Sequence, residues 1–361
     1  MAFSFGFSGD DIDIDESGTN NDILEVPSHN ANSLPELVKA SKHDLNEWLA
    51  TLPSQISYNR LAISDSPVVI ARREIFDIRT QLMAEDSGDH DNAELIAGLE
   101  EGDLKPNFYE GGFKTWECSL DLAKLVTGED DFQTDAHVIE LGAGTAVPSL
   151  TLFARTLVDT ATSGPSPGNT HFTFADYNSA VLRLVTLPNL ILTWRNCLSQ
   201  QSVSSESEQD PSQTVEDELD VTPELLDEFK TDLAQRGITV DFISGAWSPE
   251  FVDFVLSASG VAERRTLVLA SETIYSPASL TAFSETLLAL LRRSNSASTR
   301  SRALVAAKKV YFGVGGGVDE FLAVLRNTSA DELDVEQKLD VQSEGVGRVV
   351  LEIVPAVNST H

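Results

Sequence analysis

Apolar and polar positions alternate in blocks along this chain, and the blocks predict its elements. Ser33 to Leu52 has helical spacing, with Leu34, Leu37, Val38, Leu45, Trp48 and Leu49 apolar and Asp44 placed to cap its second half. Pro67 to Ala84 predicts a strand followed by a helix. From Phe113 the pattern becomes regular. Phe113 to Val126 is an amphipathic helix with Trp116, Leu120, Ala123 and Val126 on or near one face. Short buried strands are predicted at His137 to Leu141, Thr170 to Ala175, Ile238 to Ile243 and Thr266 to Ala270, with another inside Ala303 to Phe312. Helices are predicted at Val147 to Leu157, Ser179 to Leu187, Pro223 to Gln235, Pro249 to Leu256, Ser279 to Arg292 and Asp319 to Leu325. Two closing strands, near Val335 to Val341 and Arg348 to Val354, flank a glycine-containing turn.

Strand–helix alternation argues for a parallel sheet covered on both faces, and two terminal strands without a helix between them argue for a hairpin. The expected fold class is α/β: a Rossmann-like, seven-stranded, mostly parallel sheet with a C-terminal antiparallel hairpin. Residues 105–357 form this domain. Before it come a disordered acidic tail, residues 1–32, and an N-terminal helical extension, residues 33–104. A Ser/Glu/Asp-rich low-complexity insertion occupies residues 199–222. Phe3, Phe5 and Phe7 are a short docking motif or part of a plain flexible tail.

Charge changes the picture locally. The net charge is −32. Seven acids fall in Asp10 to Glu25, eight in Glu85 to Asp103 and ten in Glu206 to Glu228, none of these stretches holding a Lys or Arg. Such runs are solvated loops or a field that attracts a basic partner. Direct nucleic-acid binding is disfavoured, because phosphates need a basic footprint. Only Cys118 and Cys197 occur, with six histidines and no HExxH, so neither a disulfide framework nor a metal site is expected. No apolar run approaches the ~20 residues of a membrane span, and Met1 to Phe7 lacks the features of a signal peptide. A reduced intracellular compartment is expected.

The strongest candidate chemistry is Glu140-Leu141-Gly142-Ala143-Gly144-Thr145-Ala146, between a predicted strand and helix, where backbone N–H groups can cradle a ligand. A dinucleotide fingerprint would need glycine where Val147 stands, so NAD is disfavoured. Asp176, at the end of the next strand, can accept hydrogen bonds from ribose hydroxyls; it or Asn178 can instead cap the following helix. Trp247 in Gly245-Ala246-Trp247 can flank an adenine or pack in the core. Ser271-Glu272-Thr273-Ile274-Tyr275 ends the fourth strand, at the sheet edge that carries ligands or as a capped turn. Gly313 to Gly317 lacks the Lys-Ser/Thr of a phosphate loop and reads as a mobile lid or tight turn.

At these residues the chain resembles the eukaryotic histidine protein methyltransferases of the seven-strand, methyltransferase-like class. The resemblance runs through Tyr109 to Ser119 (YEGGFKTWECS), the Gly142 loop, Asp176-Tyr177-Asn178, Thr186-Leu187-Pro188-Asn189, Gly245-Ala246-Trp247, Ser271 to Tyr275 and Gly315-Gly316-Gly317, covering about residues 105–355. Phe3 to Phe7 also looks like the fungal members. The resemblance implies S-adenosylmethionine as cofactor and methylation of one histidine ring nitrogen in a large-subunit ribosomal protein. It further implies that Trp116, Glu117, Gly142, Asp176, Trp247 and Ser271 lie in or near the cofactor pocket, and Cys118, Glu140, Gly144 and Asn178 beside them are also candidate cofactor-binding residues. A monomer active in cytoplasm and nucleus, without membrane or direct nucleic-acid contact, is the corresponding expectation.

Methyl transfer needs a neutral nucleophile approaching in line. Histidine, with a reference pKa of ~6.5, is mostly neutral at pH 7, whereas lysine at ~10.4 needs deprotonation costing about 4.6 kcal/mol. A histidine enzyme therefore needs mainly orientation and tautomer choice. Glu272, as acceptor for the distal ring N–H, and Tyr275, as a wall for the ring, are the candidate catalytic residues. Competing readings are a protein lysine methyltransferase, and a non-catalytic acidic module that escorts a basic ribosomal protein.

Overall fold

The computed structural model describes residues 38–85, 112–128, 135–163, 169–202, 217–258, 264–295, 300–313, 315–329, 332–342 and 345–356. The expected acidic tail and its Phe3, Phe5 and Phe7 lie outside them, as do Tyr109 to Gly111.

Four parallel crossovers build the centre of the main sheet. Its strands are β4 (Ala136–Leu141), β5 (Thr170–Asp176), β7 (Ile238–Ser244), β8 (Arg265–Ser271) and β9 (Ser301–Lys308). β10 (Leu333–Val341) and β11 (Arg348–Pro355) close it, and β1 (Ser41–His43) is added at the opposite edge. The order is β1-β7-β5-β4-β8-β9-β11-β10. The β7-β5-β4-β8-β9 block is parallel, while β11, β10 and β1 run antiparallel to their neighbours. This is the expected seven-stranded sheet with its hairpin, plus one short edge strand. Every residue of β4 and β5 is buried, because helices cover both faces of the sheet centre.

Chain order reverses between β4 and β8: β4 leads through β5 to β7 on one side, while β8 leads to β9 on the other. A crevice opens outside the strand carboxyl ends at such a switch point. On one face, α3 (Glu117–Val126) packs on α4 (Val147–Ser163), within a core holding Phe153, Phe172, Phe174, Trp194 and Phe229 of α7 (Pro223–Gln235). On the other, α8 (Pro249–Val255), α9 (Leu280–Ser294) and α10 (Val318–Ser329) bury Phe251, Phe283 and Phe321.

Three segments differ from the sequence expectation. The helical extension expected over residues 33–104 is, where described, a mixture of strand and helix. α1 (Leu45–Leu49) is five residues long, capped by Asp44 Oδ1 from Asn46 N–H at 2.8 Å. Strands β1, β2 (Gln55–Ala62) and β3 (Val69–Arg73) flank it, and α2 (Ile75–Glu85) follows. β1 pairs with β7, so hydrogen bonds to a pre-existing edge override the weak strand propensity of Ser41-Lys42-His43. Part of the acidic insertion is likewise ordered: β6 (Asp217–Asp220) pairs with β2 in a separate sheet, β3-β2-β6, where Asp217 meets Arg60 at 2.8 Å. Residues 203–216 of the insertion lie outside the described ones.

The third difference is one long helical run where a helix ending at Leu187 was expected. α5 (Ser179–Val181) passes through a π-helical turn, Leu182–Thr186, into α6 (Leu187–Ser202). Pro188 has no N–H to donate to Leu184, four residues back, and its ring would clash with that carbonyl. The π turn removes the conflict, and the released Leu184 carbonyl accepts instead from Arg73 Nη1 at 3.0 Å.

Candidate active site

The glycine loop after β4 is built from left-handed backbone. Gly142 and Gly144 have φ of 66° and 51°, and Ala146 joins them at 56°. A Cβ on Gly142 would come 2.8 Å from Thr273 Cγ2, and one on Gly144 would come 3.2 Å from the Gly112 Cα. Glycine is required at both positions by conformation and by closeness. The loop is fastened from behind. Thr186 Oγ1 donates to the Gly144 carbonyl at 2.7 Å, and Asn189 Nδ2 donates to the Thr145 carbonyl at 3.1 Å. Both side chains come from the run containing the π turn, so the Thr186-Leu187-Pro188-Asn189 motif acts through the backbone of the loop.

Glu140 and Asp176 flank this loop with different tasks. Glu140 is 1% exposed, and its Oε2 accepts the Ser149 N–H, in the first turn of α4, at 2.9 Å. The helix N-terminus, where a pyrophosphate would sit, is thus filled by the protein's own carboxyl. Burial, then the nearby Asp176, raises the Glu140 pKa to about 8. Asp176 Oδ2 accepts from Gly144 N–H at 3.0 Å and Oδ1 from Asn178 N–H at 3.1 Å. Through these two bonds Asp176 ties β5 and the start of the following helix to the loop. Asn178 starts α5 without a side-chain cap, and its buried Nδ2 has no partner among the described residues.

Trp116, Glu117 and Cys118 start α3, opposite the end of β9. Lys308 Nζ lies 5.1 Å above the Trp116 ring, 3.0 Å from Glu117 Oε2 and 3.7 Å from Glu272 Oε1. Burial opposes its charge, but Glu117 and Glu272 offset this and hold the Lys308 pKa up. The hydrogen bond from Lys308 lowers that of Glu117. Cys118 is fully buried, and burial with Glu272 alongside pushes its thiol up, so it is a packed neutral side chain.

Ser271 ends β8 and Glu272 follows with φ of 58°, its N–H donating to the Ala306 carbonyl at 3.0 Å. A non-glycine residue in this region costs about 1–3 kcal/mol, and such strain concentrates at working sites. Tyr311 donates its hydroxyl to Glu272 Oε2 at 2.5 Å, and burial followed by Glu272 raises the phenol pKa, keeping it a donor. Glu272 is the expected acceptor for the distal ring N–H of a substrate histidine. Its carboxylate is turned inward, with Oε2 taken by Tyr311 and Oε1 enclosed beside Lys308. Tyr275 is half-buried and meets the Tyr311 ring edge-on at 6.3 Å. Tyr311 and Lys308 were not legible from the sequence, because their strand end adjoins β8 only through parallel pairing of β8 with β9.

The glycine run after β9 is a tight turn seated on this motif. A Cβ on Gly316 would fall 2.2 Å from the Tyr275 carbonyl oxygen, and Gly316 O accepts from Tyr311 N–H at 3.0 Å. At the far side, Gly245 has φ of 119°, and a Cβ there would meet the Lys39 carbonyl oxygen at 2.6 Å. The segment before β1 therefore walls the end of β7. Trp247, beyond it, packs edge-on against Phe251 at 5.1 Å and Phe283 at 5.8 Å, with part of the indole accessible. All twelve expected site residues thus lie around the strand carboxyl ends, Glu140 and Cys118 beneath the surface. Among the described residues no group of three His, Cys, Asp or Glu side chains could hold a metal ion, and no helix is long and apolar enough to cross a membrane.

No family model matches the chain. It is 33% identical to histidine protein methyltransferase 1 of Saccharomyces cerevisiae, with 97% of this chain and 98% of that protein covered. The protein of the same name in Schizosaccharomyces pombe is 36% identical, covering 97% of this chain and 92% of that one. A rat homologue is 33% identical over 70% of this chain and 58% of its own length. Among solved structures, magnesium protoporphyrin IX methyltransferase from Synechocystis, with SAH bound, overlaps 78% of this chain and 94% of its own at 11% identity, with a TM-score of 0.32. That likeness is too loose to bear on chemistry. The full-length similarity to the two yeast proteins decides the matter: the chain belongs to the histidine protein methyltransferase family.

Proposed function

We propose that this enzyme methylates one histidine of a basic large-subunit ribosomal protein, in the cytoplasm or nucleus. The coarser activity, methyl transfer from S-adenosylmethionine to a protein histidine, comes with the family. The observation that carries the reading is the near-complete alignment with the yeast proteins. The ribosomal target is supported by the resemblance above and by the net charge of −32, which favours encounter with a strongly basic protein.

The residues present fit the cofactor. Asp176 stands at the end of β5 as a carboxylate beside the loop, the loop leaves no room for a Cβ at Gly142, and the partly accessible Trp247 lies beyond the end of β7. When bound, S-adenosylmethionine supplies a methyl group on a sulfonium. The protein's own work is orientation. Asp176 fixes the loop, and Lys308 joins α3 to the end of β8 by facing Glu117 and Glu272. Tyr311, locked by Glu272, holds the turn against which Tyr275 rests, so Tyr275 walls a neutral imidazole while Glu272 acts through Tyr311 as a positioning residue.

The test is transfer of labelled methyl groups onto purified large-subunit ribosomal proteins, followed by intact-mass and site mapping. One singly methylated histidine in one protein is expected. Label on none of these proteins, with transfer to another protein, would refute the ribosomal target.

A further inference from the structure

We propose that Arg72, working through the hydroxyls of Thr115 and Thr145, forms an anion subsite beside the glycine loop that takes the amino-acid carboxylate of S-adenosylmethionine. This deepens the function proposed above and rests on it. Arg72 lies in β3 of the small sheet, outside the strands that make the crevice. Its Nη1 donates to Thr115 Oγ1 at 2.6 Å and its Nη2 to Asn59 Oδ1 at 3.1 Å, while its buried Nε has no acceptor. Thr115 in turn donates to Thr145 Oγ1 at 3.0 Å, and Thr145 belongs to the loop itself. The guanidinium can only donate, so the chain of hydroxyls is polarised away from it and ends in a donor at the loop.

Charge makes the assignment specific. Asp176, Glu117 and Glu272 make the crevice acidic, and the cation facing two of them, Lys308, is engaged by both. Neighbouring Arg73 is paired with Asp77 at 2.6 Å. Arg72 is largely buried yet forms no ion pair with any described Asp or Glu; Glu74 supports its charge from beyond ion-pair distance and is itself held by Asn59, whose Nδ2 donates to Glu74 Oε1 at 2.5 Å. Buried charges are ordinarily paired. The one anionic group of S-adenosylmethionine is its carboxylate, which a hydroxyl polarised by a buried cation can meet as a donor. The hydroxyl relay places that complementarity beside Gly142 and Gly144, where the backbone permits close approach.

The experiment is calorimetry on the full chain with two probes: S-adenosylhomocysteine, which carries the amino-acid end, and 5′-methylthioadenosine, which lacks it. Arg72→Met should weaken S-adenosylhomocysteine about 10-fold to 150-fold, the range for losing a charged hydrogen-bonding partner, and leave 5′-methylthioadenosine within about twofold. Removing a cation cannot weaken capture of the ammonium, so such a loss reports the carboxylate. Thr115→Val, which keeps the volume and severs the relay, should shift the same probe in the same direction by a smaller factor. Equal weakening of both probes, or of neither, would overturn the subsite and make Arg72 a strut between the sheets. A wild-type chain that binds neither probe would sink the donor reading and the subsite together.

Discussion

The Tyr311 hydroxyl donates to Glu272 Oε2 at 2.5 Å, joining the residue after β8 to the turn after β9. Glu272 sits on strained backbone and its other oxygen is enclosed, so the phenol is the group that fixes its carboxylate. Tyr311→Phe keeps the ring packing on Tyr275 and removes only that donor. It should cost about 1.5–3 kcal/mol of stability, the usual range for a bond to a charged group. Glu272→Gln combined with it should be clearly non-additive, with a coupling of about 0.5–3 kcal/mol. Both single variants should lower turnover while S-adenosylhomocysteine affinity stays within a few-fold. Strictly additive unfolding energies would show that the two side chains act separately.

Asp176 has a task beyond ribose. Asp176→Ala frees the Gly144 N–H as well as removing an acceptor, so cofactor affinity should fall about tenfold to 150-fold and the apo protein should also melt lower. Calorimetry finding unchanged affinity would remove Asp176 from the site.

Glu140 predicts a pH dependence of stability. Its folded pKa, about 8, lies above the ordinary carboxyl value, so the folded state holds a proton that the unfolded state has released. No penalty exists below about pH 4.5; stability then falls as pH rises, at up to about 1.4 kcal/mol per unit until pH passes about 8. Glu140→Gln keeps an acceptor for Ser149 and should flatten that slope. Denaturant melts of both proteins between pH 5 and 8 decide it; identical slopes would assign the dependence elsewhere.

Gly245 predicts a conformational cost at the N-terminal edge. Alanine there would have φ of 119° and meet the Lys39 carbonyl at 2.6 Å, so the segment before β1 must move or the backbone must change. Gly245→Ala should destabilise by about 1–3 kcal/mol and speed hydrogen exchange at Ser41 to His43. Unchanged exchange there would show that β1 docks without this close approach.

Legibility from sequence followed local signal strength. β4, β5, β7 and β8 announce themselves as short apolar runs bounded by polar turns, and each lies within about one residue of its expected place. Asp176, Glu140 and the Gly142 loop were readable because they sit next to those strands in the chain. What was not readable depends on partners distant in sequence. β1 and β6 have poor strand composition and exist through pairing with β7 and β2. The π turn before Pro188 leaves the Leu184 carbonyl to Arg73, more than a hundred residues earlier. Arg72, Lys308 and Tyr311 reach the site from β3 and the end of β9, and no spacing rule links those positions to the glycine loop.

The measurement that bears most directly on the central claim is amino-acid analysis of the labelled residue, after the enzyme has acted on large-subunit ribosomal proteins with labelled S-adenosylmethionine. The orientation-based mechanism predicts methylhistidine alone, since Glu272, the carboxylate at the end of β8, is engaged by Tyr311 and Lys308 and is no open base for an ammonium. Methyllysine without methylhistidine would contradict it.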